Sequence, residues 1–357
     1  MNQLTRFASL TLAFGLLAGS ALAQTVAPYK VLATTQLMGS GGTDYVYADN
    51  DGRRVYVPRG GNTFVFDLDR HQYIGCITNI GGHGVAIDPA SHHGFSSSNP
   101  VGMFDSVTLQ KLKTIEVSGR PDGIQLEPFS GKILILSHES PSITLIAPKD
   151  GTVTGTIDIG GAMEEARSDG QGKLYVDVED EKKIAVVDLA TLKVVTKYDL
   201  GDSAGEPGGL GLDVKNHILL AMCANPNVCV VVNALDGKVL ATLPIGTGTD
   251  GGGFNPNTME AFSSQRDGTL TIIKENSPTD FAVEQTVTTK IGCRTSSLDT
   301  KNNQIVLICT ERLPSAMATN TVTIPTAAAT TNTSPGKRRG GGGRGGPGNL
   351  DILWVGR

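Results

Sequence analysis

The stretch from Asp169 to Gly201 reads DGQGKLYVDVEDEKKIAVVDLATLKVVTKYDLG. An Asp-Gly turn precedes the apolar run Lys173–Val176, and a mixed-charge turn separates it from a second apolar run, Ile184–Asp188. A further segment begins at Lys193 and closes on the final glycine. Short segments rich in Val, Ile and Tyr, separated by acidic and glycine turns, predict consecutive antiparallel β-strands.

The same order of strands and turns recurs along the chain. Each unit has a first strand that ends on an acidic or amide residue, and the equivalent positions are Asp49, Asp88, Glu127, Asp169, Asp213, Asn255 and Asp299. These positions are separated by 39, 39, 42, 44, 42 and 44 residues. Four-stranded units of this period are typical of propeller blades. The sequence therefore predicts an all-β fold, a seven-bladed β-propeller with four antiparallel strands per blade.

The two ends of the repeat array predict how the ring closes. The seventh unit has strands at Arg294–Asp299 and Gln304–Thr310, a long polar excursion, a third strand at Asp351–Val355 and no fourth strand. The segment Tyr29–Gly39 precedes the first unit and has the pattern of a fourth strand without a blade. We expect it to pair with the C-terminal strand and complete the last blade, because this removes two exposed strand edges.

Three short motifs stand out in different blades. They are Arg120–Gly123 at the start of the third unit, Leu174–Val176 in the fourth and Val55–Pro58 in the first. With these motifs the blade pattern resembles the YVTN repeat of the YncE-like propeller family. The resemblance implies an exported propeller that acts as a binding or scaffold module.

The N-terminal segment and the overall charge limit the classes of function. Arg6, an apolar run from Phe7, and small residues at Ala21 and Ala23 are typical of a cleaved signal peptide. We predict a signal peptide over residues 1–23 and a single propeller domain over residues 24–357, in a periplasmic or secreted protein. No later apolar stretch is long enough for a transmembrane segment. The net charge of −5 argues against nucleic acid as the main partner.

Four of the five cysteines form two pairs that each flank a turn. Cys223 and Cys229 surround one turn, and Cys293 and Cys309 surround another. Each pair should lie across adjacent strands, which predicts two disulfides in an oxidising compartment. Buried free thiols are the alternative, and Cys76 has no evident partner.

A column of mostly ionisable residues stands five positions before the end of each first strand. Its members are Asp44, His83, Asp122, Glu164, Gly208, Asp250 and Arg294. First strands line the channel of a propeller, so these side chains should meet at one mouth of the channel. Carboxylates that converge there must take up protons, bind a cation or pair with a base. We therefore predict a ligand-binding site at the mouth, formed by Asp44, His83, Asp122, Glu164, Asp250 and Arg294.

A divalent cation is the candidate cofactor, with His83, Asp122 and Asp250 as its candidate ligands. The leading hypothesis for function is a non-catalytic binding or scaffold protein that holds a small ligand or a protein partner at this mouth. The alternative is a metal-assisted lyase or hydrolase that uses the same acidic and histidine residues. A solvated mouth that contains only internal ion pairs is the third interpretation.

Residues 314–349 form a Thr/Ala-rich segment followed by a Gly/Arg-rich segment. Such a composition buries too little apolar surface to offset the entropy of ordering, so we predict a disordered insert within the last blade. Its basic residues are candidates for contact with an acidic surface, and they are Lys337, Arg338, Arg339 and Arg344. A solvated loop without a partner is the alternative.

Overall fold

The computed structural model describes residues 27–312 and 348–357, which form seven four-stranded antiparallel sheets. The predicted signal peptide lies outside the described residues, as do Lys337, Arg338, Arg339 and Arg344. The part of the chain that the structure describes offers no helix with the length and hydrophobicity needed to cross a membrane. The predicted all-β propeller with seven blades is confirmed.

Strand β1 (Lys30–Gly39) opens the described chain. Blades 1 to 3 follow with β2 (Tyr47–Asp49), β3 (Arg54–Arg59), β4 (Asn62–Asp67), β5 (Gln72–Ile77), β6 (Val85–Asp88), β7 (His93–Ser96), β8 (Val101–Asp105), β9 (Lys111–Ile115), β10 (Pro121–Glu127), β11 (Lys132–Ser137), β12 (Ile143–Ile146) and β13 (Val153–Ile157). Blades 4 to 6 contain β14 (Met163–Ser168), β15 (Lys173–Val178), β16 (Lys183–Asp188), β17 (Lys193–Asp199), β18 (Glu206–Asp213), β19 (Ile218–Ala224), β20 (Val228–Asn233), β21 (Val239–Pro244), β22 (Thr249–Asn255), β23 (Glu260–Gln265), β24 (Thr269–Ser277) and β25 (Asp280–Thr288). Blade 7 contains β26 (Thr295–Asp299), β27 (Gln304–Arg312), β28 (Gly348–Gly356) and, as its outer strand, β1.

Blade 7 is completed by the N-terminal strand, as predicted. Strand β1 pairs with β28 in antiparallel register, from Lys30 opposite Gly356 to Gly39 opposite Gly348. The C-terminal strand begins three residues earlier than the sequence pattern indicated, so Gly348 and Asn349 belong to the sheet and not to the insert. The reason is the ladder itself, because Asn349 is paired on both sides, with β1 and with β27.

The first hairpin of every blade is built in the same way. The residue before the second strand has a positive φ in each blade, and these residues are Arg53, His92, Gly131, Gly172, His217, Met259 and Asn303. The acidic residue at the end of the first strand closes the turn with its side chain. Glu127, for example, accepts hydrogen bonds from the backbone N–H groups of Phe129 (2.9 Å) and Ser130 (2.6 Å). The repeated Asp, Glu and Asn of the sequence are therefore turn-forming residues.

Buried apolar side chains form seven clusters, one at each contact between neighbouring blades. Successive residues of a strand point to opposite faces of the sheet. In β15, Leu174 and Val176 accordingly pack against blade 3, whereas Tyr175 packs against blade 5. Every sheet thus supplies apolar side chains to both of its neighbours, and the hydrophobic core is distributed around the ring.

The innermost strands β2, β6, β10, β14, β18, β22 and β26 each contact the next one around the channel. Blades 5 and 6 approach most closely through glycines. A Cβ atom on Gly209 would lie 2.7 Å from the backbone of Gly251, and one on Gly211 would lie 3.0 Å from the carbonyl oxygen of Gly253. Residues with side chains would force these two strands apart, so the Gly251–Gly253 run allows the inner strands to approach closely.

The structure corrects one of the two predicted disulfides. Cys223 is paired with Val228 across the strands and Cys229 with Met222, so the two cysteines are offset by one residue. Because of this offset, Cys223 packs between blades 4 and 5, whereas Cys229 packs between blades 5 and 6. A bond between them would have to pass through the sheet. Cys76 lies in β5 and is half-buried.

Cys293 and Cys309, in contrast, occupy one cluster between blades 6 and 7. Their sulfur atoms lie 2.6 Å apart, and both residues are buried. The five cysteines are unbonded thiols in the structure, and the Cys293–Cys309 disulfide stays a prediction.

Arg59 connects blade 1 to both strands that close the ring. Its guanidinium group is buried and donates hydrogen bonds to the carbonyl oxygens of Leu37 (3.2 Å), Gly39 (3.1 Å), Gly41 (3.2 Å) and Gly348 (3.0 Å). One side chain therefore holds the end of β1, the segment that follows it and the start of β28 at a single point.

Replacing Arg59 by methionine should lower the free energy of unfolding by about 2–4 kcal/mol, because buried carbonyl groups lose their charged donor. Urea unfolding followed by tryptophan fluorescence measures the change. Arg70→Met in the same blade is the matched control, since the Arg70 side chain is 78% exposed and should change stability by less than about 0.5 kcal/mol. Equal losses in the two variants would contradict a role for Arg59 in closure.

Protein purified without reductant should contain the Cys293–Cys309 disulfide, and reduction should lower the free energy of unfolding by roughly 3 kcal/mol, as for a loop of this size. Peptide mapping by mass spectrometry after alkylation under denaturing conditions identifies the bond. Cys223 and Cys229 serve as internal controls and should both be alkylated. Alkylation of Cys293 and Cys309 to the same extent would show that the pair is not oxidised.

Candidate functional site

The predicted column of ionisable residues lies at one end of the inner strands. Asp44, His83 and Arg294 stand just before β2, β6 and β26, whereas Asp122, Glu164 and Asp250 lie near the starts of β10, β14 and β22. Each residue thus comes from a different blade. The antiparallel repeat returns every first strand to the channel in the same direction, which brings their starting ends to the same mouth.

One part of the site is an ion-pair chain that begins at Asp250. The Nη1 atom of Arg294 contacts Asp250, and its Nη2 atom lies 3.1 Å from Asp44 Oδ1. The other oxygen of Asp44, Oδ2, lies 2.7 Å from His83 Nδ1. Arg294 and His83 therefore hold the Asp44 carboxylate from both sides.

The chain continues from His83 through a second histidine. His83 Nδ1 lies 3.2 Å from Asp122 Oδ1, while His138 Nε2 contacts Asp122 Oδ2. His138 Nε2 is also 3.8 Å from Glu164 Oε1, and the hydroxyl of Tyr45 donates to Glu164 Oε2 at 3.0 Å. We call the whole chain the mouth network, and its members are Asp44, Tyr45, His83, Asp122, His138, Glu164, Asp250 and Arg294.

His138 and Tyr45 were not among the predicted site residues. Strand β10 pairs with β11 so that Pro121 lies opposite Ser137, which places His138 next to Asp122. Counting residues outward from the turn places Ser137 opposite Asp122, one residue away from the observed register because the register shifts between Pro121 and Ile124, but it still brings His138 to the start of β10. Tyr45 follows Asp44 directly, but nothing in the sequence indicates that its hydroxyl reaches Glu164 three blades away.

The predicted metal ligands His83, Asp122 and Asp250 are not brought together as one set. Asp250 lies on the far side of Arg294, whose guanidinium neutralises it. Among residues 27–312 and 348–357, two other sets have ligand atoms within 4.8 Å of one another, namely Asp44, His83 and Asp122, and Asp122, His138 and Glu164. The sets overlap at Asp122, and both combine one imidazole with two carboxylates.

Protons are held tightly within the network. The hydrogen bond to Asp44 raises the pKa of His83, and the contact with Asp122 raises the pKa of His138. Burial raises the pKa of Glu164 to about 7, and the negative charge of Asp122 adds to this effect. Burial and the neighbouring charges thus favour the protonated forms of His83, His138 and Glu164. A cation that binds between them must displace protons from the histidines.

A cavity of about 250 Å³ adjoins the mouth network inside the channel. Tyr45 and Glu164 line it on the side of the network, and Ile124 and Leu136 give it apolar walls. Arg167 also lines the cavity and is held by Glu165 (2.9 Å) and by the carbonyl oxygen of Gly252 (2.8 Å). The site therefore offers charged groups at the mouth and a mixed apolar and polar space behind them.

Asp177 on β15 is a fully buried carboxyl group that stands apart from the network. Neither of its oxygens has a hydrogen-bond partner among the described residues. Burial raises its pKa well above the ordinary value, and the charges of Glu165 and Glu164 raise it further, while Arg167 acts in the opposite direction. The fold therefore tolerates this group in its protonated form.

No protein-family model matches the chain, and no curated protein matches it by sequence. Among solved structures, a chain of the crystal structure of a mitotic checkpoint complex resembles it with a TM-score of 0.65 and 13% sequence identity. The match covers 84% of this chain and 95% of that chain. At this level of identity the likeness shows the fold alone, because β-propellers carry unrelated functions.

Asp177→Asn should reduce the loss of stability that accompanies rising pH. The folded chain retains the Asp177 proton more tightly than the unfolded chain, so the carboxyl destabilises the fold progressively from about pH 4 upward. Between about pH 5 and about pH 8, the wild type should lose at least about 1 kcal/mol more than the variant in urea unfolding. Asp202→Asn, at an exposed position, is the control and should lose as much stability over this pH range as the wild type. A variant with the same pH dependence as the wild type would contradict the buried, protonated state.

Proposed function

We propose that this chain is an exported, non-catalytic β-propeller of the YVTN-repeat type that binds a positively charged ligand at the mouth network. Export is supported by the signal-like residues 1–23, and the family by the blade motifs in the sequence. The binding role is consistent with a closed propeller, whose channel mouth collects side chains from many blades at one place.

The observation that carries this proposal is the excess of carboxylates over fixed cations in one continuous network. Four carboxyl groups contribute to it, from Asp44, Asp122, Glu164 and Asp250, and Arg294 is the guanidinium that pairs with two of them. Asp122 and Glu164 are left with histidines as their charged partners. A ligand cation can replace the histidine protons there, and this is the chemistry for which the site is best arranged.

The surroundings of these two carboxylates suit a ligand that enters from the channel. Asp122 and Glu164 have side-chain exposures of 10% and 20%, so both are shielded but still reachable. The cavity of about 250 Å³ next to Glu164 provides space for the remainder of a small ligand. Ion pairs in such a shielded place are stronger than at an open surface.

Isothermal titration of the purified protein with Zn²⁺, Ca²⁺ and spermidine, each used separately, tests the proposal. At least one of these cations should bind to the wild type, and Asp122→Asn should weaken that binding by about tenfold or more, because a central carboxylate charge is lost. Asp44→Asn, at the neighbouring position, should weaken it as well.

Asp51→Asn is the matched control, since Asp51 is exposed in the turn at the other end of the first strand of blade 1. The Asp51→Asn variant should bind each cation with the same affinity as the wild type. Absence of binding by all three cations, or equal losses in Asp51→Asn and Asp122→Asn, would exclude the mouth network as the ligand site.

A further inference from the structure

We infer that the mouth network is a dinuclear site in which Asp122 bridges two divalent transition-metal ions. This inference rests on the proposed function, because it names the cation that the network binds. The first ion would be held by Asp44, His83 and Asp122, and the second by Asp122, His138 and Glu164.

The position of Asp122 between two imidazoles carries the inference. Its Oδ1 atom faces His83 Nδ1 at 3.2 Å, and its Oδ2 atom contacts His138 Nε2. The two oxygens of one carboxylate thus address two different histidines. Such a carboxylate can donate one oxygen to each of two neighbouring ions, which is the arrangement that a bridged pair of ions requires.

The burial of Asp122 is a second, independent observation. The residue is 7% exposed, and its Oδ1 atom is buried without a hydrogen-bond partner in the described part of the chain. His83 Nδ1 lies 3.2 Å from this oxygen but makes its hydrogen bond to Asp44, so the buried oxygen lacks a hydrogen bond, and a metal ion at this position would compensate for its burial. The oxygen is on the side of Asp122 that the first set shares with Asp44 and His83.

The donor atoms indicate which ions fit. Each set contributes one imidazole nitrogen and carboxylates from two residues, a combination that suits Zn²⁺, Mn²⁺ or Fe²⁺. Ca²⁺ prefers about six to eight oxygen ligands and gains little from imidazole. Three protein residues per ion leave coordination positions open toward the channel, where His83 is 30% exposed.

Neighbouring groups hold the outer carboxylates in place. Arg294 donates to Asp44 at 3.1 Å, and Tyr45 donates to Glu164 at 3.0 Å. Hydrogen bonds from such neighbours orient metal ligands and increase affinity. The second oxygen of Asp44 and of Glu164 stays directed toward its histidine in each case.

The test is a metal count on the purified full chain, stripped with a chelator and reloaded with Zn²⁺ or Mn²⁺ alone. Native mass spectrometry should find two ions per chain in the wild type and one in either His83→Ala or His138→Ala. Asp122→Ala should lose both ions, because it removes a ligand from each. The Mn²⁺-loaded wild type should give a spin-coupled electron paramagnetic resonance spectrum, and each histidine variant an uncoupled one.

Two control variants change residues that are not proposed as metal ligands. Asp51→Asn should keep both ions, since Asp51 is exposed in a turn outside the mouth network and belongs to neither set. His92→Ala, in an exposed turn, should keep both ions as well. His83→Gln and His138→Gln repeat the count with side chains of similar size, and circular dichroism confirms that each variant folds. Loss of an ion in Asp51→Asn or His92→Ala would overturn the assignment.

The outcomes also separate this inference from the proposed function. A single ion per chain, lost equally in His83→Ala and His138→Ala, would overturn the dinuclear site while leaving a cation-binding mouth. Spermidine binding that depends on Asp122, without any bound Zn²⁺ or Mn²⁺, would likewise overturn the dinuclear site and leave the cation-binding mouth. Absence of binding by metal ions and spermidine alike would overturn both.

Discussion

The pairing of β1 with β28 is the constraint on which the other parts of this molecule depend. Nine positions of β1 are paired with the C-terminal strand, and Arg59 of the adjacent blade binds carbonyl groups on both strands. Without this pairing, blade 7 would lack its outer strand, and the segment that leads into blade 1 would not be anchored to blade 7, with which blade 1 shares an apolar cluster. Closure thus converts a linear series of hairpins into a ring.

The mouth network depends on the same closure. Its central residues come from separate blades, so no local stretch of backbone determines the distances between them. The Arg294–Asp44 pair joins blade 7 to blade 1, which are neighbours only because the ring is closed. From there the network passes through blades 2, 3 and 4 by way of His83, Asp122 and Glu164. The rotation of each blade about the channel sets the spacing of the charged groups.

The fold could be predicted because its signals are local and repeated. Each turn needs a side chain such as Asp88 or Glu127 to bind the backbone N–H groups of the turn, and that need recurs once per blade. The column of mouth residues followed from the same period. The partners within the column did not follow, because sequence spacing identifies the strand end but not the direction of a long side chain. Asp250 accordingly pairs with Arg294, and the network includes His138, which directly follows the second strand of blade 3.

The one-residue offset between Cys223 and Cys229 shows a related limit. A symmetric turn sequence does not determine which residues face each other, and a shift of one position moves a side chain to the opposite face of the sheet. The pairing of Cys293 with Cys309 was predicted by the same reasoning, and in this case both side chains do pack in one cluster. Pairs near a strand end are therefore less predictable than the strands that carry them.

The seven apolar clusters between blades have a consequence for how the molecule moves. An open repeat array has terminal units that can separate by breaking one contact surface. A closed ring has no terminal unit, so a blade that leaves must expose apolar side chains on both of its faces at once. Partial opening of the ring therefore requires a large free energy, and unfolding should be concerted around the ring. Motion at the channel should therefore be confined to side chains at its mouths, with the blades as a rigid frame around it.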